Sequence, residues 1–260
     1  MSGDQAVDRF RSWAGAMLAH HVRQQPTTIY QTSTMAALLD GIYDGDVTIA
    51  ELLSHGDFGL GTFNQLDGEM VVLDGTCYHL RSDGSASVAS PQDKTPFAAV
   101  LRFRPDKTLT VTSRTDRPGL AALIDAAIPS QNLTYGLRVS GSFARVRTRT
   151  VMAQQPPYPP LTEATAHEPV ADLVRVTGTL AGFRTPDYEQ GISVAGYHLH
   201  FLTEDRRHGG HALDFTLDRG EAALCTASEL HLSLPRTGPF LSADLSPADT
   251  SAQIKRSEGG

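Results

Sequence analysis

The chain has 260 residues, 40% of them hydrophobic and 20% charged, with a net charge of -7. This profile fits a soluble globular protein long enough for one large domain or two modest ones. The acidic balance argues against non-specific nucleic-acid binding, which needs a basic face. The two cysteines, Cys77 and Cys225, lack C-x-x-C spacing and suggest free thiols, and no apolar run approaches the roughly 18 residues of a membrane span.

Phe10, Trp13, Ala14, Met17 and Leu18 fall at helical spacing, so residues 1–28 read as an N-terminal extension carrying an amphipathic helix ended by Pro26. There is no convincing export signal, and a cytoplasmic location follows by default. Residues 33–41 read as a short capped helix closed by Gly41, and residues 46–55 as a second one. Residues 70–80 read as a hairpin turning at Asp74-Gly75, and Asp83-Gly84 marks the next turn. A buried strand is expected from Phe97, a helix over 119–128, and a long strand pair over 134–146. Residues 153–168, with four prolines between Gln155 and Leu161, read as a stiff extended linker. Strands are expected at 172–183, 195–203, 212–217 and 229–234, and residues 250–260 as a polar frayed tail. The chain thus divides into a 29–152 α/β domain, the 153–168 linker and a 169–249 β-rich domain. The expected class is mixed α+β, two domains built on largely antiparallel or mixed sheets.

The chemistry-bearing segment is Gly196-Tyr-His-Leu-His-Phe201, with His211 eleven residues after His200. On a strand, Tyr197, Leu199 and Phe201 point to one face and His198 and His200 to the other. Two same-face imidazoles can chelate one cation, and a third histidine with an open position is the usual layout of a catalytic zinc site. Geometry raises one difficulty. A hairpin symmetric about residue 207 sets His211 opposite Thr203, on the Leu199 face, and a bulge is then needed to bring it in. Two other readings compete. One is a cupin-like metalloenzyme using Glu204 after His198-x-His200, and the other a non-catalytic metal- or ligand-binding protein. Spacing does not choose zinc over manganese, iron or cobalt.

Five further segments extend the pattern: Tyr30-Gln-Thr-Ser-Thr-Met-Ala-Ala-Leu-Leu-Asp-Gly, Gly56-Asp-Phe-Gly-Leu-Gly-Thr-Phe-Asn, Leu66-Asp-Gly-Glu-Met, Arg147-Thr-Arg-Thr and Gly182-Phe-Arg-Thr-Pro-Asp-Tyr. With His208-Gly-Gly-His211 and Leu213-Asp, they resemble the α-acetolactate decarboxylases over roughly residues 29 to 248. The resemblance implies two α/β domains with a metal near their junction, a homodimer, and one Zn2+ per chain held by His198, His200 and His211. It also implies catalytic roles for Glu69, Arg149 and, from the tail, Glu258, and it places Thr62 beside the metal and the substrate. The implied reaction takes 2-acetolactate to acetoin and CO2, in the acetoin and butanediol route that diverts acetolactate from branched-chain amino-acid synthesis.

These residue types suit that reaction. Losing CO2 from a β-keto acid builds negative charge on the ketone oxygen, which a Lewis-acid metal on neutral ligands stabilises. A guanidinium suits the departing carboxylate, and a carboxylic acid can return the proton to one face of the enediolate. No organic cofactor is called for, and the chain carries no P-loop or dinucleotide fingerprint.

Overall fold

A computed structural model describes residues 26–245 and 249–258. The helix expected around Phe10 to Leu18 lies outside the described residues. The strands of the N-terminal half are β1 (Thr27–Thr32), β2 (Val47–Thr48), β3 (Phe58–Thr62), β4 (Glu69–Leu73), β5 (Thr76–Leu80), β6 (Ala86–Val88), β7 (Lys94–Thr95), β8 (Ala98–Leu101), β9 (Lys107–Val111) and β10 (Thr115–Asp116). Four long strands follow: β11 (Thr134–Arg149), β12 (Val170–Thr185), β13 (Gly196–Thr203) and β14 (Gly209–Ser233). The helices are α1 (Met35–Leu39), α2 (Ile49–His55), α3 (Arg117–Ala127), α4 (Leu161–Ala164), α5 (Gly238–Ser242) and α6 (Thr250–Glu258). The class is mixed α+β, dominated by antiparallel strands.

Local chemistry explains most of the early elements. Thr34 caps α1, its hydroxyl accepting from Ala37 N at 3.2 Å, and Thr48 caps α2 in the same way. Asp74 and Gly75 both take positive φ, at 51° and 75°, which gives the β4–β5 hairpin a turn whose twist matches its strands. Helix α3 begins at Arg117, two residues before the expected start. Asp116 supplies the cap and Pro118 sits in the first turn, where its missing N–H costs nothing.

In the main sheet, β1 pairs in parallel with β14 and antiparallel with β8, and β3, β4, β5 and β6 follow outward. The four long strands close a circuit, since β11 bonds to both β12 and β14, β12 to β13, and β13 to β14. Phe143, Phe201 and Phe215 meet edge-to-face inside this circuit. Phe143→Ala is expected to cost about 3–5 kcal/mol, read from denaturant unfolding, because the circuit cannot collapse around the lost ring. A second cluster joins Leu60, Val71 and Leu80 to Phe183 and Leu202, welding β3–β5 to the circuit.

Three expectations are corrected. Residues 134–149 form one strand rather than a strand pair, and 212–217 and 229–234 merge into the single β14. Gly141 and Gly220 are cross-strand partners in the ladder between these strands, and a Cβ on Gly141 would come 2.3 Å from the Arg219 carbonyl. The polar middle of β14 therefore marks a close approach of two backbones, between the two strands expected from the sequence. The tail is also not frayed. Residues 250–258 form α6, with Ile254 only 1% exposed among Met35, Leu38 and Leu161. Within 153–168, Leu161–Ala164 turns helical and packs into the same cluster. Strands from both sides of 153–168 share the main sheet.

Candidate active site

The three histidines converge. In β13, Leu199 and Phe201 enter the core while His198 and His200 project from the opposite face. The β13–β14 hairpin pairs His200 with His211, Phe201 with Gly210 and Leu202 with Gly209. Its axis therefore falls between residues 205 and 206, and His211 lies directly across from His200 on the same face. The symmetric arrangement about residue 207 is overturned, and no bulge is needed. The turn closes early: Thr203 N donates to the His208 carbonyl at 2.9 Å, and Arg206 adopts a positive φ of 61°.

Gly209 and Gly210 serve the ladder rather than a bulge. A Cβ on Gly210 would lie 2.7 Å from the Arg149 carbonyl, and one on Gly209 2.4 Å from that of Phe201. Gly210→Ala must push the neighbouring backbone away next to His211. The expected result is at least a roughly tenfold loss of metal affinity, measured by competition with a chelating dye, with little change in far-UV circular dichroism.

One ligand nitrogen from each histidine lies within 4.8 Å of the others. His200 and His211 are 1% and 3% exposed, and the His198 side chain 11%. His200 Nδ1 donates to the Met70 carbonyl at 2.8 Å, which leaves Nε2 unprotonated and facing the other rings. That nitrogen is buried without a hydrogen-bond partner. Burial, aided by Arg149 and Arg117, holds the His198 imidazole down at about 3. Burial first, then the neighbouring rings and Arg149, holds His200 and His211 well below the ordinary histidine range. All three are neutral at physiological pH. An orphaned lone pair among neutral, buried imidazoles is what a borderline divalent cation requires, so these residues fit a metal ion.

The other expected residues gather around the rings. Glu69, at the start of β4, brings Oε2 to 3.6 Å from His200 Nε2. Thr62, its β-ladder partner, is buried and donates to the Gly68 carbonyl at 2.6 Å. Helix α6 places Glu258 Oε2 at 3.4 Å from His198 Nε2 and 3.7 Å from His211 Nδ1. Arg149, the last residue of β11 and the ladder partner of His211, donates through Nη2 to the Ser257 carbonyl. Thr62, Glu69, Arg149, His198, His200 and Glu258 together line an inner pocket of about 30 Å³. A larger cavity of about 600 Å³, bordered by Arg117, Tyr197, Ile254 and Lys255, opens onto His198, His211 and Glu258. The outer one has the size of a small-molecule site.

The carboxyl groups sit where burial disfavours their anions. Burial pushes Glu69 well above the usual carboxylate range, reinforced by Glu168 and Glu258 and opposed by Arg149. Burial also raises Glu258, against the pull of Arg149. Glu168 was not singled out in the sequence. Burial raises it to about 7 although Arg149 faces it, its Oε2 lying 3.1 Å from Arg149 Nε. No local pattern announces it, since it is one acid at the close of a proline-rich segment.

The residues outside the site are equally plain. Glu204, the ligand that a cupin-like site would need, is exposed in the β13–β14 turn and is not part of the histidine group. His208 lies in the same turn, bridged to Ser85. His55 stacks on Tyr30 with ring centroids 3.7 Å apart. No helix among the described residues is long and apolar enough to cross a membrane.

Residues 29–247 match the family model described as alpha-acetolactate decarboxylase. The chain is 45% identical to the alpha-acetolactate decarboxylase of Klebsiella aerogenes over 99% of both chains. It is 48% identical to that of Raoultella terrigena over 92% of both. The crystal structure of alpha-acetolactate decarboxylase from Bacillus subtilis strain 168 superimposes with a TM-score of 0.88 at 43% identity. That match covers 90% of this chain and 100% of the other.

Proposed function

This chain belongs to the alpha-acetolactate decarboxylase family, and from that premise we propose that it converts 2-acetolactate to acetoin and CO2. The observation that carries the reading is the buried group of neutral imidazoles with Glu69, Arg149 and Glu258 around it. His198, His200 and His211 would hold the metal ion, taken as Zn2+. When bound, the ion supplies Lewis acidity for the charge that grows on the ketone oxygen as CO2 departs.

The protein's own groups perform the remaining tasks. Substrate enters through the outer cavity. Arg149 holds the carboxylate, its planar charge fixing the angle at which the C–C bond breaks. Burial, with two neighbouring carboxylates, disfavours the Glu69 anion and favours its protonated form. Glu69 is therefore the acid that protonates the carbon left by CO2, and delivery from one wall gives one acetoin enantiomer. Glu258 closes the opposite side and orients the tertiary hydroxyl. Thr62 is buried beside Glu69 and completes the pocket wall.

A homodimer in the cytoplasm completes the reading. The division into 29–152 and 169–249 belongs to it as well, with Thr62, Glu69 and Arg149 drawn from the first part and the three histidines from the second. The decisive experiment gives racemic 2-acetolactate to the zinc-loaded protein and follows CO2 and acetoin. Equimolar release of both, abolished by chelation and restored by added zinc, supports the proposal. Turnover that persists after metal is stripped overturns the metal dependence, and absence of acetoin overturns the reaction.

A further inference from the structure

Glu168 stands between two exposed residues, His167 and Pro169, yet its side chain is only 2% exposed. A carboxylate beside water that folds inward forgoes hydration, and something in the interior must offset that loss. Its neighbour there is Arg149, whose Nε lies 3.1 Å from Glu168 Oε2. The two are not aligned as a hydrogen bond, and neither Glu168 oxygen has another buried partner. The attraction is one of charge against charge.

The backbone holds this pair in place. Arg149 ends β11 and pairs with Val170 at the start of β12, and Thr150 N donates to the Pro169 carbonyl at 3.2 Å. Glu168 thus faces the Nε side of the guanidinium while the Ser257 carbonyl takes Nη2. Two other buried carboxylates, Glu69 and Glu258, also feel the Arg149 charge. Without a fixed partner on Nε, the guanidinium could swing to either of them and be lost to an incoming carboxylate.

We propose that Glu168 is a positioning residue that anchors the Nε side of Arg149 and so keeps the rest of the guanidinium directed at the substrate carboxylate. The inference rests on the decarboxylase reading above. Its test compares zinc-loaded wild type with Glu168→Gln, using 2-acetolactate as the probe. The expected result is a rise of about tenfold in KM with kcat within about threefold, the size of one misdirected charge-assisted hydrogen bond. Zinc content and melting temperature should stay near wild type. Glu168→Asp, which keeps the charge, should recover most of the KM, and in an Arg149→Lys background Glu168→Gln should add nothing further. Glu168→Ser, smaller and able to admit water, carries the same expectation if Gln prevents folding.

An unchanged KM in an active Glu168→Gln or Glu168→Ser protein overturns the inference. So does a full additional loss in the Arg149→Lys background, or parallel loss of zinc and melting temperature. A wild type that produces no acetoin sinks the decarboxylase reading instead, so the two failures are distinguishable.

Discussion

Replacing His200 with Ala should remove bound metal and CO2 release together. His200 is the ring whose Nδ1 is fixed by the Met70 carbonyl and whose Nε2 has no buried hydrogen-bond partner. Its loss leaves two imidazoles, too few to hold a catalytic ion at ordinary free-metal concentration. The expected fall in kcat/KM is at least about a thousandfold, since Lewis-acid stabilisation is worth several kcal/mol. Elemental analysis and a coupled CO2 assay on the same preparation read both quantities. The fold should survive, because the circuit of β11–β14 is held by its own apolar core on the other face of β13. A His200→Ala protein that keeps metal and turns over substrate would show that the three rings are not the centre of the chemistry.

Glu69→Gln should separate chemistry from binding. The amide matches a protonated carboxyl in shape and charge, so Arg149, Glu258 and the rings face an unchanged neighbour. It has no acidic proton to give. The expected outcome is a fall in kcat of roughly 10²–10⁴-fold, the usual share of a general acid, with metal content retained. Stopped-flow measurement of CO2 against acetoin refines the test. A lost proton donor leaves CO2 release faster than the appearance of chiral acetoin, and the enantiomeric excess drops as water supplies the proton. Wild-type kcat and full enantiomeric excess would assign the proton to another group, with Glu258, beside His198, as the alternative.

Much of the site was legible in the chain because it is written at short range. The alternation of His198 and His200 with Leu199 and Phe201 needs only the period of a strand to place both rings opposite a core. Asp74-Gly75 announces its hairpin through the positive φ both residues accept. What could not be read was set by contacts distant in sequence. The register of His211 depends on where the 204–208 turn closes, and displacing the hairpin axis from 207 to between 205 and 206 carries the ring to the other face. The length of β14 was hidden because the polar Asp218 to Glu221 break the apolar alternation, while Gly220 is packed against β11. The resemblance pointed to Glu258, but the helix that carries it was hidden, because a polar helix with one apolar anchor resembles a tail. Glu168 has no local signature, and only the ladder between Arg149 and Val170 brings it to the guanidinium.

Helix α6 has a consequence for how the protein fails under stress. Nine residues carry Glu258 to the rings, and their apolar grip on the rest of the molecule is mainly Ile254. A helix that short does not persist alone in water, so its docking should open at a far smaller free energy than the sheet unfolds. Gentle warming should then silence turnover reversibly while the circular dichroism of the strands stays constant. One small latch should then set the working temperature ceiling of the enzyme, and stiffening that latch would raise it without touching the core.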